Sequence, residues 1–163
     1  MSDNRDQEEI RGPVSRLLIG MLHRYFLLSR GLTLGVRAAC FDQEGRVFLV
    51  RHTYIPGWYL PGGGVERRET ALEALERELA EEGNLTLIAP PQLFQVYFNK
   101  ATSPRDHVLL YRAEVTQGAP RVPDREIAES GFFSLDALPA GTTPATLRRL
   151  KEVGGECPPA GTW

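Results

Sequence analysis

Residues 62–85 read GGGVERRETALEALERELAEEGNL, and this stretch is the most informative part of the chain. A run of three glycines is followed by apolar residues spaced three and four apart, which predicts a helix over residues 69–82. The same segment is rich in glutamate. A solvated surface helix accounts for such a composition in many proteins, so the position of each carboxylate around the helix has to decide whether the segment carries chemistry.

Helical geometry places some of these glutamates next to the buried face. If Ala71 is set at 0° and each residue advances by about 100°, an apolar stripe is defined by three leucines at about 40°, 80° and 100°: Leu75, Leu79 and Leu72. Glu82, at about 20°, and Glu78, at about −20°, then fall within or beside this stripe. Glu81 lies on its flank, whereas Glu73 lies opposite the stripe and is predicted to be solvated.

Carboxylates at the edge of a core are destabilising unless something neutralises them. A divalent cation meets this need, because Mg²⁺ prefers carboxylate oxygens and keeps its remaining positions for water and phosphate. The residues therefore favour a metal site over a solvated helix. Arg77 lies four residues after Glu73 and four before Glu81, so it is predicted to bridge them. Glu69, near the helix start, suits the positive end of the helix dipole.

At this point the sequence resembles the Nudix hydrolases. The signature of that family is a Gly, five residues, a Glu, seven residues, Arg-Glu, an aliphatic residue, any residue, Glu-Glu, any residue, a Gly and an aliphatic residue. The positions that match in this chain are Gly63, Glu69, Arg77, Glu78, Leu79, Glu81, Glu82 and Leu85. One position departs, because Asn84 stands at the family's Gly and Gly83 precedes it. Asn tolerates the left-handed conformation that ends a helix, so the helix can still end here.

The resemblance implies an α/β fold, the family's α/β/α sandwich with a mixed β-sheet, and a Mg²⁺ cofactor for which Mn²⁺ could substitute. It implies structural roles for Gly63, Glu69 and Arg77, and a metal-binding role for the backbone carbonyl of Gly62. It also implies that three helix carboxylates are catalytic residues and metal ligands, with one of them acting as the base: Glu78, Glu81 and Glu82.

Candidates for contacts to the substrate lie outside the signature: Arg37, Arg51, His52, Tyr54, Trp58, Glu126 and Glu129. The loop that holds His52, Tyr54 and Trp58 could stack against a base or sugar, although Trp58 is equally well explained as a core residue. The two arginines lie in or beside predicted strands and could meet phosphate oxygens. In the Nudix family a later acidic residue often completes the site. Glu126 and Glu129 are candidates for it, and a charged loop in water explains them equally well.

The rest of the chain predicts three parts: a tail with an amphipathic helix (residues 1–30), the Nudix domain (residues 31–153) and an irregular tail (residues 154–163). Apolar residues at helical spacing begin at Val14; packing on its own domain, a homodimer contact and a membrane-surface role all stay open for this helix. Strands are predicted over residues 32–41, 46–50, 85–89, 93–98, 108–115 and 131–134, with a polar loop over residues 117–129 and a last helix over residues 144–153.

Composition excludes several classes of protein. The chain has 163 residues, a formal net charge of −2 and two cysteines. One compact domain is expected from this length, and the balanced charge argues against a nucleic-acid polymer as partner. Neither a signal peptide nor a transmembrane segment is predicted. Two cysteines in unrelated contexts do not make a disulfide framework, so a cytoplasmic location is expected.

These features together predict a metal-dependent hydrolase that cleaves the diphosphate linkage of a nucleoside diphosphate-linked or nucleoside triphosphate substrate by water attack on phosphorus. One alternative is a Nudix-fold sensor domain that binds a nucleotide without cutting it, which the complete set of carboxylates disfavours. Another is an isomerase on the same fold, which would need a catalytic Cys. Cys40 lies well before the signature, in a predicted buried strand.

Overall fold

The computed structural model describes residues 19–22, 24–26 and 31–163. Residues 19–22 and 24–26 are helical, and the remainder of the predicted N-terminal helix lies outside the described residues. A second unit runs from Thr33 to Trp163 and holds the whole sheet. In the described part of the chain, no helix is long and apolar enough to cross a membrane.

In the unit from Thr33 onward, two strands precede the first helix and four strands lie between it and the second. The elements are β1 (Thr33–Phe41), β2 (Val47–His52), α1 (Ala71–Gly83), β3 (Leu85–Leu87), β4 (Gln92–Phe98), β5 (Asp106–Gln117), β6 (Ile127–Phe133), a 3-10 turn (Leu135–Ala137) and α2 (Pro144–Val153).

The sheet is mixed, as predicted. Its strands lie in the order β3-β5-β1-β2-β6, and β4 also pairs with β5. β1 and β5 run parallel, from Thr33 opposite Asp106 to Phe41 opposite Glu114. The other pairings, β1–β2, β2–β6, β3–β5 and β4–β5, are antiparallel.

Each face of the sheet is covered by one helix, which gives the predicted α/β/α sandwich. On the first face, Leu75 and Leu79 of α1 pack with Phe48 and Val50 of β2. On the second face, Leu150 of α2 joins a separate cluster of buried residues: Ala39, Val47, Leu49, Trp58, Leu60, Tyr97 and Leu110. Successive residues of a strand point to opposite faces, so β2 supplies both clusters and is buried along nearly its whole length.

The segment after β2 lies between β1 and β2, where these two strands separate. Val50 and Tyr59 exchange backbone hydrogen bonds of 3.0 and 2.8 Å, which attach the segment to β2. On the other side, the backbone N–H of Val36 donates to the carbonyl of Gly63 at 2.9 Å, and that of Ala38 donates to the carbonyl of Pro61 at 3.1 Å. Backbone hydrogen bonds to both neighbouring strands therefore hold this segment in place.

Local chemistry sets both ends of α1, which is shifted slightly from the predicted span. Thr70 caps the first turn in a capping box with Glu73, so the helix begins at Ala71. Asn84 ends it in the left-handed conformation, with φ of 52°. Gly83 is needed for a different reason, since a Cβ there would lie 2.7 Å from the Phe48 ring. The family's single Gly is thus replaced by two residues with separate roles.

Two predictions about buried positions were wrong. Helical spacing predicts Leu72 on the apolar stripe, but Leu72 is 46% exposed. The last strand was predicted over residues 131–134, yet β6 begins at Ile127, inside the predicted polar loop. Ile127 is buried, whereas Glu129 lies opposite Arg51 of β2 and pairs with it. The first part of β6 carries a charged residue at an accessible position, so the sequence pattern there resembles that of a polar loop.

Candidate active site

Glu82 is the one buried carboxylate of α1 and lies at the centre of the candidate site. It is 4% exposed, and its Oε2 accepts a hydrogen bond of 2.7 Å from the backbone N–H of Gly62. Burial raises the pKa of Glu82 from 4.5 to about 7, and the charges of Glu78 and Glu126 act in the same direction. The positive charge of Arg37 and the Gly62 hydrogen bond oppose this rise. An ionised Glu82 is therefore incompletely compensated by the protein.

The glycine turn is packed so closely that side chains are excluded from it. Gly62 has φ of 136°, and a Cβ there would lie 2.1 Å from the carbonyl oxygen of Val36. A Cβ on Gly63 would lie 2.2 Å from Oε1 of Glu78. Backbone atoms of the turn thus approach the carboxylates directly, which only glycine permits. The carbonyl of Gly62, the predicted metal ligand, accepts a hydrogen bond from the guanidinium of Arg37.

Arg77 connects the carboxylates to the turn. Its guanidinium contacts Glu69 at 3.0 Å, Glu78 at 2.8 Å and Glu81 at 3.4 Å, and it donates to the Gly64 carbonyl at 3.2 Å. Hydrogen bonds from Arg77 lower the pKa of Glu69. The contact with Glu81 agrees with the sequence prediction.

The predicted bridge from Arg77 to Glu73 is wrong. The carboxylate of Glu73 accepts a 2.7 Å hydrogen bond from the backbone N–H of Thr70 and closes the capping box. Arg77 reaches Glu69 instead, because the chain before α1 folds back toward the helix. Arg68, with φ of 72°, forms the turn that makes this possible.

His52 and Tyr54 lie beside the buried carboxylate. Nε2 of His52 is 3.7 Å from Oε1 of Glu82, and the His52 and Tyr54 rings are 5.1 Å apart. Burial, followed by the charge of Arg37, lowers the pKa of His52, so its ring is neutral near pH 7. Nδ1 of His52 is buried without a hydrogen-bond partner among the described residues. Of the predicted substrate contacts, these two and Arg37 surround Glu82.

The other candidates for substrate contact divide into two groups. Glu126 is exposed, and its negative charge raises the pKa values of both Tyr54 and Glu82, which places it near the site. Arg51 and Glu129 pair with each other at 2.6 Å, and the Arg51 guanidinium lies 5.9 Å from the Trp58 ring. Trp58 is 8% exposed and belongs to the core on the α2 side. Arg51, Trp58 and Glu129 therefore lie on the face opposite α1, away from the carboxylates.

The carboxylates fit a hard divalent cation in their chemistry. Among the described residues no cluster of three metal-ligating side chains is already assembled. Protein donors hold the carboxylates separately, with the Gly62 N–H on Glu82 and Arg77 on Glu78 and Glu81. The donor set consists of oxygens, which Mg²⁺ and Mn²⁺ prefer. The incompletely compensated charge of Glu82 is the observation that favours a cation here.

Sequence reasoning missed Arg121, which attaches a loop to the end of α1. Its Nε donates to the carbonyl of Glu81 at 2.7 Å, and its guanidinium also pairs with Asp124. Hydrogen bonds from the backbone N–H groups of Ile127 and Glu126, followed by the one from Arg121, lower the pKa of Asp124 to about 2. No periodic pattern marks this contact, because Arg121 lies in irregular chain 40 positions after Glu81.

Comparisons with known proteins agree with this arrangement. The NUDIX domain model matches residues 31–152. The crystal structure of a MutT NUDIX hydrolase from Burkholderia pseudomallei is 31% identical, with a TM-score of 0.63, and the match covers 74% of this chain and 97% of that one.

Two curated relatives are matched over shorter stretches. An RNA pyrophosphohydrolase from Halorhodospira halophila is 50% identical over 44 residues, which is 27% of this chain and 24% of the relative. An ADP-ribose pyrophosphatase from Methanocaldococcus jannaschii is 33% identical over 103 residues, which is 60% of each protein. The chain therefore spans less than two thirds of the length of either relative.

Proposed function

The chain belongs to the NUDIX domain family, because the model of that family matches residues 31–152, and from this premise we propose that it is a Nudix-type pyrophosphatase. In this proposal it hydrolyses the diphosphate linkage of a nucleotide derivative with the help of a divalent cation, Mg²⁺ or in its place Mn²⁺. The observation that carries the proposal is the buried, incompletely compensated carboxylate of Glu82 beside a glycine turn whose backbone approaches the carboxylates directly.

Glu78, Glu81 and Glu82 would hold the cation, together with the carbonyl of Gly62. A bound divalent cation lowers the pKa of an attacking water and offsets the negative charge that develops on phosphate oxygens. One of these glutamates accepts the proton of that water.

The surrounding residues fix the orientation of these groups. The Gly62 N–H holds one oxygen of Glu82, and Arg77 holds Glu78 against the turn. Arg37 places a permanent positive charge at the Gly62 carbonyl, where it can also attract an anionic substrate. These contacts are present before any ligand binds and hold each carboxylate in place beside the turn.

The relatives widen the range of substrates that the proposal has to cover. Their names refer to RNA pyrophosphohydrolase and ADP-ribose pyrophosphatase activities. An assay panel should therefore contain nucleoside triphosphates, oxidised nucleotides, ADP-ribose, sugar nucleotides and a triphosphate-ended RNA oligonucleotide. Release of phosphate or of a nucleoside monophosphate is measured with Mg²⁺ and then with excess chelator.

A matched pair of variants tests the site within that assay. Glu82→Gln should lower kcat/KM by about 100-fold or more, the range typical of a lost acid–base or metal-binding group. Glu76→Gln makes the same chemical change at an exposed position of α1 and should leave kcat/KM unchanged. Wild-type activity in Glu82→Gln would overturn the site. Nucleotide binding without turnover of any substrate would favour the sensor alternative.

A further inference from the structure

A cavity of about 510 Å³ lies next to the glycine turn. Its wall includes Arg37, whose charge acts on Glu82, and Gly63, which lies against Glu78, together with Gly64. Asn99, Asp106 and Trp163 complete this part of the wall. We name this cavity the Trp163 cavity. It was not predicted from the sequence, where stacking was expected from the loop that holds His52, Tyr54 and Trp58.

Asp106 is the centre of a hydrogen-bonded cluster in this wall. Its Oδ1 accepts a hydrogen bond of 2.7 Å from the hydroxyl of Thr33, and its Oδ2 accepts one of 2.7 Å from the amide nitrogen of Asn99. The same amide nitrogen donates to the hydroxyl of Thr102 at 3.0 Å. Because both N–H groups of Asn99 are used within the cluster, the capacity that remains on Asn99 and Asp106 is for accepting hydrogen bonds.

Backbone hydrogen bonds and packing against buried side chains fix the position of Trp163 in the wall. The backbone N–H of Trp163 donates to the carbonyl of Phe98 at 3.1 Å, and the Trp163 ring meets the buried Tyr97 ring edge-on at 5.5 Å. Arg149, which is 1% exposed, lies 5.5 Å from the Trp163 ring centre and donates to the carbonyl of Thr162 at 3.0 Å. A half-buried indole in a fixed position is suited to contact an aromatic ligand.

We infer that the Trp163 cavity binds the nucleoside part of the substrate. The base lies against Trp163 and donates hydrogen bonds from its N–H groups to Asn99 and Asp106. The diphosphate then passes Arg37 and Gly63 to reach the carboxylates. This inference rests on the proposed function. The inference adds that the cavity selects among bases. The hydrogen-bonding groups that remain free on Asn99 and Asp106 are acceptors, and that of Asp106 is negatively charged.

Guanine is the base that this chemistry favours. It presents two adjacent N–H donors on one edge, from its ring nitrogen and its amino group, and a carboxylate can accept both. Uracil presents a single N–H between two carbonyl oxygens, which the acceptors of Asn99 and Asp106 would repel. We therefore expect guanine nucleotides to bind at least about tenfold more tightly than uracil nucleotides, as expected for a bidentate contact of this kind.

Binding can be measured without turnover by tryptophan fluorescence in the presence of excess chelator. The probes are GMP and UMP. GMP is expected to change the fluorescence of the wild type, and Trp163→Phe, which retains the buried Trp58, is expected to lose that change. A response of Trp163→Phe equal to that of the wild type would overturn the assignment of the cavity.

The choice of base is tested with Asp106→Asn. This variant should lose the preference for GMP over UMP, whereas Asp136→Asn, an identical change on the exposed 3-10 turn, should keep it. If Asp106→Asn does not fold, the GMP-to-UMP ratio of the wild type still decides, because equal affinities contradict the inference. Parallel titrations with dGMP, which lacks the 2′-hydroxyl, identify the group that is recognised. If dGMP binds as weakly as UMP, Asn99 and Asp106 bind the ribose, and the inference of base recognition is wrong.

The two proposals can fail separately. If GMP binds through Trp163 and no diphosphate is hydrolysed, the proposed hydrolase activity is wrong and the cavity assignment stands. If hydrolysis depends on the cation and Glu82 but kcat/KM is unchanged in Trp163→Ala, the cavity assignment is wrong and the hydrolase stands. Loss of a stacking partner should otherwise raise KM about tenfold.

Discussion

Replacing Glu82 with Gln should stabilise the metal-free protein above neutral pH, although the same change removes activity. Burial raises the pKa of Glu82 to about 7 in the folded state, compared with 4.5 when it is exposed. The folded protein thus binds a proton more tightly than the unfolded chain. Stability therefore falls as the pH rises from about 4.5 to 7 and stays reduced above that range. The full difference corresponds to about 3 kcal/mol.

Glutamine at position 82 removes the charge and keeps an oxygen that can accept the hydrogen bond from the Gly62 N–H. His52, whose pKa is lowered by burial, destabilises the folded state toward acidic pH instead. Its own titration is present in both proteins. Because Nε2 of His52 lies 3.7 Å from Oε1 of Glu82, the difference between the two proteins reports the charge of Glu82 together with its interaction with His52.

The assay is urea unfolding with excess chelator at pH 5, 6, 7 and 8, for the wild type, Glu82→Gln and the control Glu76→Gln. The advantage of Glu82→Gln over the wild type should be small at pH 5 and approach about 3 kcal/mol at pH 8. Glu76→Gln should show no such trend. Adding Mg²⁺ at pH 8 should then stabilise the wild type more than Glu82→Gln. A difference that does not change with pH would refute the view that Glu82 carries an uncompensated buried charge.

Three further variants test other contacts. Gly63→Ala should displace the Glu78 carboxylate, since the new Cβ would lie 2.2 Å from it, and kcat/KM should fall by about 100-fold or more; unchanged kinetics would contradict the close packing of the turn. Thr70→Ala removes the helix cap, so unfolding free energy should fall by about 1 kcal/mol with kcat/KM unchanged, as urea denaturation and a steady-state assay can measure. Arg51→Ala should leave kcat/KM within about threefold of the wild type, because its partner is Glu129 on the other face; a larger loss would place Arg51 in the site after all.

Helical geometry accounts for what the sequence could predict about the carboxylates. The angles around the axis separate a buried Glu82 from an exposed Glu81, with Glu78 between them, and the structure has the same order. Leu72 fails the same test because periodicity gives a direction around the helix and not the length over which the sheet covers it. Similarly, spacing along the helix suggested Glu73 as a partner of Arg77, whereas the actual partner, Glu69, depends on a turn outside the helix.

Strand β2 illustrates a second limit. A strand buried on one face alternates between apolar and polar residues, and such alternation tells which face each side chain takes. Residues 47–50 are all apolar and buried, so the sequence could not separate His52, beside Glu82, from Arg51, on the opposite face. The Trp163 cavity was hidden for a related reason: Arg37, Asn99, Asp106 and Trp163 come from distant parts of the chain and share no local pattern.

The insertion of the glycine turn between β1 and β2 has a consequence for solubility. Without it, the backbone groups of Val36, Ala38 and Val50 would form two open strand edges inside the sheet, and such edges are templates for pairing with other chains. The turn that borders the carboxylates therefore also protects the protein against aggregation. A bulkier residue at Gly62, where a Cβ would lie 2.1 Å from the carbonyl oxygen of Val36, should therefore displace the turn, expose these edges and lower the soluble fraction of the expressed protein.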